Sequence, residues 1–148
     1  MVELIEPSMA RTIELIEHTF NSHWEDMGEI CELTPNYEHY KKLEELGLAY
    51  SLIALNEEEL MGYVIFFITP HHHHSNTLWA YSDILYVTPE YRGGTVCKRL
   101  LSHAEEKLRE KGVDVIIVGM KDKKRFDALL EKIGYNPYEV MFAKVMEK

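Results

Sequence analysis

The sequence of 148 residues contains only two cysteines, Cys31 and Cys97, which lie far apart and lack the spacing of paired metal ligands. We therefore expect no disulfide framework. The sequence also has no run of about 18 apolar residues, the length that a membrane-spanning helix requires. Its first residues, Met1 to Pro7, lack the basic and apolar regions of a signal peptide. These absences predict a cytoplasmic protein with no membrane partner.

Basic residues are scarce in the first part of the chain. Residues 1–91 hold 3 Lys or Arg against 16 Asp or Glu, and the whole chain has a formal net charge of −9. This balance argues against a nucleic-acid partner, because phosphate binding needs basic surface. Residues 92–125 reverse it, with 10 basic against 5 acidic residues. This segment suits an anion and the first part suits a cation, unless the charges only solvate the surface.

The composition is that of one globular domain. Hydrophobic residues make up 46% of the chain and charged residues 28%, which excludes disordered and fibrous classes. No repeat or low-complexity linker divides the sequence, and its length is typical of one domain. We therefore predict a single domain over residues 1–148.

Hydrophobic periodicity predicts alternating helices and strands. Helices are expected over 8–20, over 37–46, from Val96 to Gly112 and from Phe126 to Gly134; strands are expected over 50–55, 62–69, 78–87 and 113–118, with a last strand pair over 136–146 and irregular structure over 21–36. The resulting order, β-α-α-β-β-β-α-β-α-β, predicts an α/β (α+β) fold. In it, about four helices flank a central mixed, mostly antiparallel sheet.

The bend that follows Val87 is the most informative segment. A turn with Pro89 and the glycine pair 93–94 lead into a helix. Glycines let the backbone approach a ligand closely, and the free N–H groups of a helix's first turn bind anions. Lys98 and Arg99 oppose the helix dipole there, so their presence is better explained by bound phosphates. The alternative is a plain strand–turn–helix corner.

Neither a P-loop nor a dinucleotide-binding glycine pattern is present. The segment Val87-Thr88-Pro89-Glu90-Tyr91-Arg92-Gly93-Gly94, followed by a helix, instead resembles the coenzyme-A-binding motif of the GNAT superfamily of N-acyltransferases. The resemblance covers residues 47–146, and the order of elements over 1–46 is compatible with it. It departs from the family at Thr95 and Cys97, which stand at the two small positions of the family's loop. This variant looks most like GNAT proteins encoded by bacteriophages.

The resemblance implies an enzyme that transfers acetyl from acetyl-CoA to an amine of a small molecule or a protein, directly in a ternary complex. It also implies that the backbone of Leu85, Tyr86 and Val87 pairs with the pantetheine arm. A backbone N–H near the end of this strand would stabilise the oxyanion. The residues implied to hold the pyrophosphate are Arg92, Gly93, Gly94, Thr95, Val96, Cys97 and Lys98. Many GNAT proteins are dimers, so a homodimer is a candidate assembly.

A second basic group follows the 113–118 strand. Lys121, Lys123, Lys124 and Arg125 stand together there. By the resemblance they would meet the 3′-phosphate end of coenzyme A. The alternative, slightly preferred, is that these four residues are a solvated helix start.

Asp83 and Tyr81 are candidate catalytic residues on the long strand. Strand alternation predicts that one face carries Trp79, Tyr81, Asp83, Leu85 and Val87. The family often places a glutamate base at the position of Tyr81. A base is needed because an alkylamine with a pKa of about 10.4 is mostly protonated at neutral pH. Asp83 is the first choice for this base, or for the group that attracts the ammonium, because it lies two residues from Tyr81 on the same face. The alternative is an Asp on a partly solvated strand.

Four consecutive histidines, His71 to His74, lie in the loop that enters this strand. We expect this loop near the mouth of the acceptor site, where His74 is a candidate for accepting or relaying a proton. A polar surface loop is the bland alternative. A metal site is not expected, because neighbouring residues of an extended loop point in alternating directions and no other ligands complete a tetrahedral set.

The family's usual general acid, a tyrosine, is replaced by Leu130 in this sequence. Tyr135 and Tyr138 are nearby substitutes, although each is also explained as a packed aromatic. Cys97 stands at a helix N-terminus, where a thiol can become nucleophilic. It has no evident base partner, so we interpret it as a packed small residue.

His23, Trp24 and Glu25 follow the first helix, in the region that shapes the acceptor pocket in this superfamily. Three acidic residues, Asp26, Glu29 and Glu32, stand close to them. Together they are candidates for an acidic, aromatic rim that binds a cationic acceptor, or for a solvated loop.

The altered bend and the missing tyrosine leave a second hypothesis open. The chain would then be a degenerate GNAT domain that binds coenzyme A, or nothing, and acts as an interaction module.

Overall fold

The computed structural model describes residues 1–28 and 30–148, except for the side chain of Lys123. Its strands are β1 (Val2–Ile5), β2 (Ala49–Asn56), β3 (Glu59–His71), β4 (His74–Val87) and β5 (Val115–Ile117). Its α-helices are α1 (Met9–Ile16), α2 (Phe20–Met27), α3 (Tyr37–Glu45), α4 (Val96–Glu110) and α5 (Asp127–Lys132). Within the described ranges, no helix combines the length and apolar character needed to cross a membrane.

The five strands form one sheet in the order β1-β2-β3-β4-β5. The first four are antiparallel neighbours, and β5 pairs with β4 in parallel. The predicted mixed, mostly antiparallel sheet is therefore confirmed. A tight acidic turn joins β2 to β3, since Asn56 pairs with Glu59 and Glu57 and Glu58 stand between them.

Strand β3 lies at the centre of the sheet and supplies both layers of the core. Val64 and Phe66 pack in the layer of α4, whereas Tyr63 and Ile65 pack in the layer of α1. All four side chains are almost fully inaccessible. A strand covered on both faces needs such a continuous apolar run.

Helices cover the two faces of the sheet as their apolar stripes predict. The predicted stripe of α4 is buried against β2, β3 and β4: Val96, Leu100, Leu101, Ala104 and Leu108. On the opposite face, α1 buries Met9, Ile13 and Ile16. Burying one such side chain stabilises the fold by about 1.5–3 kcal/mol, so these stripes fix the helices on the sheet.

Strand β4 contains a β-bulge at Asp83. Ile84 pairs with Ile65 and Ser82 pairs with Phe66, so Asp83 has no opposite residue on β3. A bulge reverses the alternation of side chains beyond it. Residues 79, 81 and 83 thus lie on the α1 face, but Leu85 and Val87 lie in the α4 layer. The prediction that all five share one face was wrong for these last two.

Residues 21–27 belong to helix α2, where irregular structure was predicted. A 3₁₀ turn over Glu17–Thr19 joins α1 to α2, and α2 ends at Gly28 in the left-handed conformation, with a φ of 61°. No residue of α2 is buried. Its apolar residues Phe20, Trp24 and Met27 have helical spacing, but acidic and polar residues dominate the segment over 21–36 and obscure this stripe.

The last strand pair predicted over 136–146 is absent. Residues 135–148 form neither strand nor helix, and β5 is the last strand of the sheet. The segment has the apolar character of a strand, but a strand also needs a neighbour for its backbone groups. Nothing in the described chain pairs with it.

Gly62 provides a test of how tightly β3 packs beneath the bend after β4. A Cβ atom at this position would lie 2.7 Å from the backbone oxygen of Tyr86 and 3.3 Å from Cγ1 of Val96. We expect Gly62→Ala to lower the free energy of unfolding by about 1–3 kcal/mol, because the backbone must shift. Denaturant unfolding measures this change.

Gly119→Ala is the matched control. A Cβ there would meet only Oγ of Ser82, at 4.0 Å, so we expect a change within about 0.5 kcal/mol. Equal stability of the wild type and Gly62→Ala would contradict the close packing.

Candidate active site

Strand β4 has a strand partner on both edges only over its middle residues. Residues 79–81 pair with Val115–Ile117 of β5, and β4 then continues to Val87 without a β5 partner. The chain after β5 remains near β4 at one point, where the Gly119 N–H donates to Oγ of Ser82 at 2.9 Å. The second half of β4 therefore has an open edge that an extended ligand can pair with.

The bend after β4 ends in backbone N–H groups that the chain itself does not use. The first hydrogen bond of α4 runs from the N–H of Arg99 to the carbonyl of Thr95, at 2.9 Å. Among the described residues, no acceptor bonds to any N–H of residues 93–98. Gly93 adopts a φ of 83°, which favours glycine, and the Thr95 side chain does not cap the helix.

This arrangement fits the phosphates of coenzyme A. Six neighbouring N–H groups stand at the positive end of a 15-residue helix, a combination that binds anions. Residues 92–95 are exposed, as are Lys98 and Arg99. The bend is therefore accessible to a ligand, and its N–H groups are available to bind one.

Arg92 connects this bend to α2. Its Nε donates to the carbonyl of Val87 at 2.8 Å, and its Nη2 lies 3.4 Å from Oδ2 of Asp26. The guanidinium also lies over the ring of Tyr86, 5.5 Å from the centroid. The ion pair with Asp26 is solvent-exposed and adds little stability. The contact shows that α2 lies beside the end of β4.

His23 also packs against the ring of Tyr86. Its ring meets that of Tyr86 edge-on, with centroids 5.1 Å apart. The structure thus brings together His23, predicted to bind the acceptor, with Tyr86 and Arg92, predicted to bind the donor. Trp24 donates its Nε1–H to the Cys31 carbonyl at 3.0 Å, and Glu25 is exposed. Glu29 of the predicted rim lies outside the described residues.

Asp83 bonds to Tyr40 of α3, a residue that the sequence did not single out. The Tyr40 hydroxyl donates to Oδ2 of Asp83 at 2.5 Å. Although Asp83 is exposed, the protein around its carboxyl displaces enough water to raise its pKa. The hydrogen bond from Tyr40 and the nearby charge of His39 act in the opposite direction. Burial, together with Asp83, raises the pKa of Tyr40, which therefore remains a hydrogen-bond donor.

Tyr81 lies close to Asp83, but His74 does not. Tyr81 is two residues before Asp83 on the same strand face and stacks beside Trp79, with centroids 6.1 Å apart. His74 pairs with His71 at the far end of the hairpin, whereas Asp83 lies between the residues that pair with Phe66 and Ile65. Five to six residues of β3 separate these positions, which corresponds to about 18 Å of strand.

The four histidines form the tight hairpin between β3 and β4. His71 pairs with His74, and their rings contact each other and the ring of Trp79. Within the described residues, no three His, Cys, Asp or Glu side chains are grouped to hold a metal ion.

The remaining candidates lie in packed or paired surroundings. Burial raises the pKa of the Cys97 thiol to about 11, so it stays protonated at neutral pH. Leu130 is buried in the α4 layer, and burial also raises the pKa of Tyr135. Arg125 forms ion pairs with Asp122 and Asp127, whereas the Lys123 side chain lies outside the described structure.

A model of the acetyltransferase (GNAT) family matches residues 14–135 of this chain. An aminoalkylphosphonate N-acetyltransferase of Salmonella typhimurium is 28% identical to it over 127 residues, covering 79% of this chain and 80% of that protein.

Solved structures share the fold over nearly the whole chain. A GCN5-related N-acetyltransferase from Ralstonia eutropha superposes with a TM-score of 0.77 at 15% identity, covering 98% of this chain and 99% of that one. An aminoglycoside acetyltransferase from an uncultured soil metagenomic sample, solved with sisomicin, gives 0.76 at 16% identity, covering 99% and 97%. A predicted acetyltransferase from Clostridium acetobutylicum, solved with acetyl-CoA, gives 0.75 at 15% identity, covering 98% and 96%.

The hydrogen bond between Tyr40 and Asp83 predicts how the carboxyl titrates. Because this bond holds the Asp83 pKa down, we expect Tyr40→Phe to raise that pKa, as measured by NMR titration of the side-chain carboxyl. If catalysis needs the carboxylate, activity falls as the pH drops through this pKa. The acidic limb of the activity profile then moves to higher pH in Tyr40→Phe.

Tyr37→Phe is the control, because Tyr37 lies one turn earlier in α3 and its hydroxyl bonds to Glu17 at 3.3 Å. It should leave the Asp83 titration in place. An Asp83 pKa that is unchanged or lower in Tyr40→Phe would refute the contact.

Proposed function

The chain belongs to the GNAT family of acetyltransferases, and we propose that it transfers acetyl from acetyl-CoA directly to the amine of a small molecule. One observation supports this most strongly: the unused N–H groups of residues 93–98 adjoin the open edge of β4. Acetyl-CoA joins a diphosphate to an extended pantetheine arm, so one ligand can occupy the bend and the strand edge together.

The donor half of the site uses backbone groups. The N–H groups of residues 93–98 would hold the diphosphate of acetyl-CoA, and the edge of Leu85, Tyr86 and Val87 would pair with its pantetheine. Acetyl-CoA supplies an activated acyl group as a thioester. Arg92 connects the bend to the end of the strand through its hydrogen bond to the Val87 carbonyl.

The acceptor half uses Asp83. A carboxylate at the bulge attracts an ammonium group and accepts a proton from it, so that a neutral amine is available for reaction. Tyr40 positions the carboxylate through its hydroxyl. His23, Trp24 and Glu25 on α2, with Tyr81 on β4, border the space in which the acceptor lies. The amine nitrogen then bonds to the acetyl carbon, the thioester C–S bond breaks, and coenzyme A leaves as its thiolate, which needs no general acid because a thiol has a pKa of about 8.5.

A small-molecule amine is the favoured acceptor class. The Salmonella typhimurium relative is an aminoalkylphosphonate N-acetyltransferase, and a solved structure with the same fold holds the aminoglycoside sisomicin. The first part of this chain is acidic, with 16 acidic residues against 3 basic ones over 1–91. This charge also favours an acceptor whose amine is cationic.

A degenerate module that binds coenzyme A without turnover is the competing hypothesis. Thiol release from acetyl-CoA in the presence of a panel of amines separates the two. Tight binding of acetyl-CoA without turnover of any amine would favour the module.

The bend is tested by adding a negative charge at Gly94. We expect Gly94→Glu to weaken acetyl-CoA binding at least about 100-fold, because a carboxylate would face the phosphates. Isothermal titration calorimetry measures the affinity.

The control is Gly94→Ala, whose Cβ would lie 3.6 Å from the Tyr91 oxygen, an ordinary contact. It should bind within a few-fold of the wild type. Gly93 is a poorer position, because its φ of 83° would strain any replacement. If Gly94→Glu bound acetyl-CoA with unchanged affinity, the bend would not be the diphosphate site.

The acceptor half is tested at Asp83. We expect Asp83→Asn to lower kcat about 100-fold or more while leaving acetyl-CoA affinity unchanged, since the amide neither attracts an ammonium nor accepts its proton. Glu106→Gln removes the same charge on the exposed side of α4, which covers the opposite face of the sheet from Asp83, and should leave kcat unaltered. Full activity in Asp83→Asn would exclude the proposed role.

A further inference from the structure

An open cleft lies between the start of α2 and the start of α3. Its volume of about 370 Å³ is large enough for a small molecule. Phe20 of α2, with Leu33 and Pro35 of the loop before α3, forms its apolar walls, and its polar groups include the carboxylate of Glu17 and the hydroxyl of Tyr37. Apolar walls with a few placed polar groups are typical of ligand sites.

The carboxylate of this cleft has a hydrogen-bond donor but no cation beside it. The Tyr37 hydroxyl donates to Oε2 of Glu17 at 3.3 Å, and within the described residues no basic side chain forms an ion pair with Glu17. By contrast, Glu14 of α1 lies 3.0 Å from Arg11. Among the described residues that line the cleft, His18 is the one basic side chain. Glu17 is also exposed, so it can bind a cation from solution.

Two aromatic rings adjoin this carboxylate. The rings of Phe20 and Tyr37 pack at a tilt, with centroids 6.4 Å apart. The face of an aromatic ring attracts an ammonium group, and the apolar walls beside the rings suit a chain of methylene groups. The cleft therefore matches an ammonium at the end of an alkyl chain better than it matches an anion or a neutral polar group.

The cleft repeats the chemistry found at Asp83. In both places a tyrosine of α3 donates its hydroxyl hydrogen to a carboxylate: Tyr37 to Glu17, and Tyr40 to Asp83. The two tyrosines are three residues apart, so they are neighbours on one side of the helix, and both pack against the α1 layer of the core. Their carboxylate partners are therefore separated by a distance on the order of 5–10 Å.

Helix α2 joins the cleft to the proposed acceptor space. Phe20, its first residue, lines the cleft. His23 is three residues further along the same helix, and its ring contacts that of Tyr86 near the end of β4. Side chains at this spacing are neighbours on a helix surface. A molecule whose amine lies at Asp83 can therefore extend along α2 and reach Glu17.

We infer that the acceptor is an α,ω-diamine or a longer polyamine, whose reacting amine lies at Asp83 while a second ammonium binds Glu17 between Phe20 and Tyr37. This inference rests on the proposed function and specifies its acceptor. The reaction is unchanged: Asp83 takes the proton of the near amine, its nitrogen bonds to the acetyl carbon, and coenzyme A leaves as its thiolate. The far ammonium keeps its protons. An acceptor with a neutral far end gains nothing at Glu17, and one with an anionic far end is repelled.

The first test compares acceptors that differ only at the far end. Thiol release from acetyl-CoA is measured with α,ω-diamines of about four to eight carbons, which cover the estimated separation of the two carboxylates. Each diamine is paired with the monoamine and the ω-amino acid of the same chain length. For the preferred length, kcat/KM should be at least about 10-fold higher for the diamine than for the monoamine, and lowest for the ω-amino acid. Monoamines that react as well as the diamines at every length overturn the inference.

The second test removes the charge of the cleft. Glu17→Gln keeps an oxygen that accepts from Tyr37, so the fold is retained. It should raise KM for the diamine about 10-fold or more while kcat, and KM for the monoamine, stay unchanged, because the far ammonium binds equally in the ground and transition states. Glu14→Gln, the control, removes a charge already paired with Arg11 and should leave both KM values within about 2-fold.

Three results of the second test would overturn the inference. They are an unchanged KM for the diamine in Glu17→Gln, an equal rise for the monoamine, and an equal rise for the diamine in Glu14→Gln. Failure of the proposed function looks different, since no amine of any class would then be acetylated, and the inference would fall with it.

Discussion

The site depends on the unequal pairing of the two edges of β4. One edge pairs with β3 along its length, which holds the strand in the core. The other edge pairs with β5 over three residues only. The outer edge of the second half of β4 therefore has no strand partner within the described chain, and the N–H groups of residues 93–98 bond to no acceptor there. Buried apolar layers hold this unsatisfied backbone in place, because α4 is fixed by its stripe from Val96 to Leu108.

The sequence predicted the parts of this arrangement that local chemistry determines. The glycine pair, the helix start and the α4 stripe follow from residue types and periodicity, and the structure confirms the sheet and the stripe. The bulge at Asp83 was not predictable, because it arises from the pairing of β4 with β3 and not from any signal in β4 itself. Tyr40 was missed for a similar reason: it lies 43 residues from Asp83. Helix α2 was missed although Phe20, Trp24 and Met27 have helical spacing, because acidic and polar residues outnumber apolar ones over residues 21–36.

The two halves of the proposed site meet at Tyr86. Its ring contacts Arg92 of the bend, His23 of α2 and Tyr63 of β3. Tyr63 in turn bonds to Thr19 through its hydroxyl, at 2.8 Å. A chain of packed and hydrogen-bonded side chains thus links the end of β4 to the start of α2. In the proposed site, this buried aromatic pair of Tyr63 and Tyr86 would set both the donor and the acceptor position, which favours their alignment in one complex.

The most direct measurement is a titration of the ¹⁵N-labelled protein with coenzyme A, followed by two-dimensional NMR. We expect the amide signals of residues 93–98 to shift most, because a diphosphate accepts hydrogen bonds from those N–H groups. The signals of His71 to His74, at the opposite end of β4, should stay in place. If the ligand saturates while the amides of residues 93–98 do not move, the bend is not the phosphate site and the proposed function loses its main support.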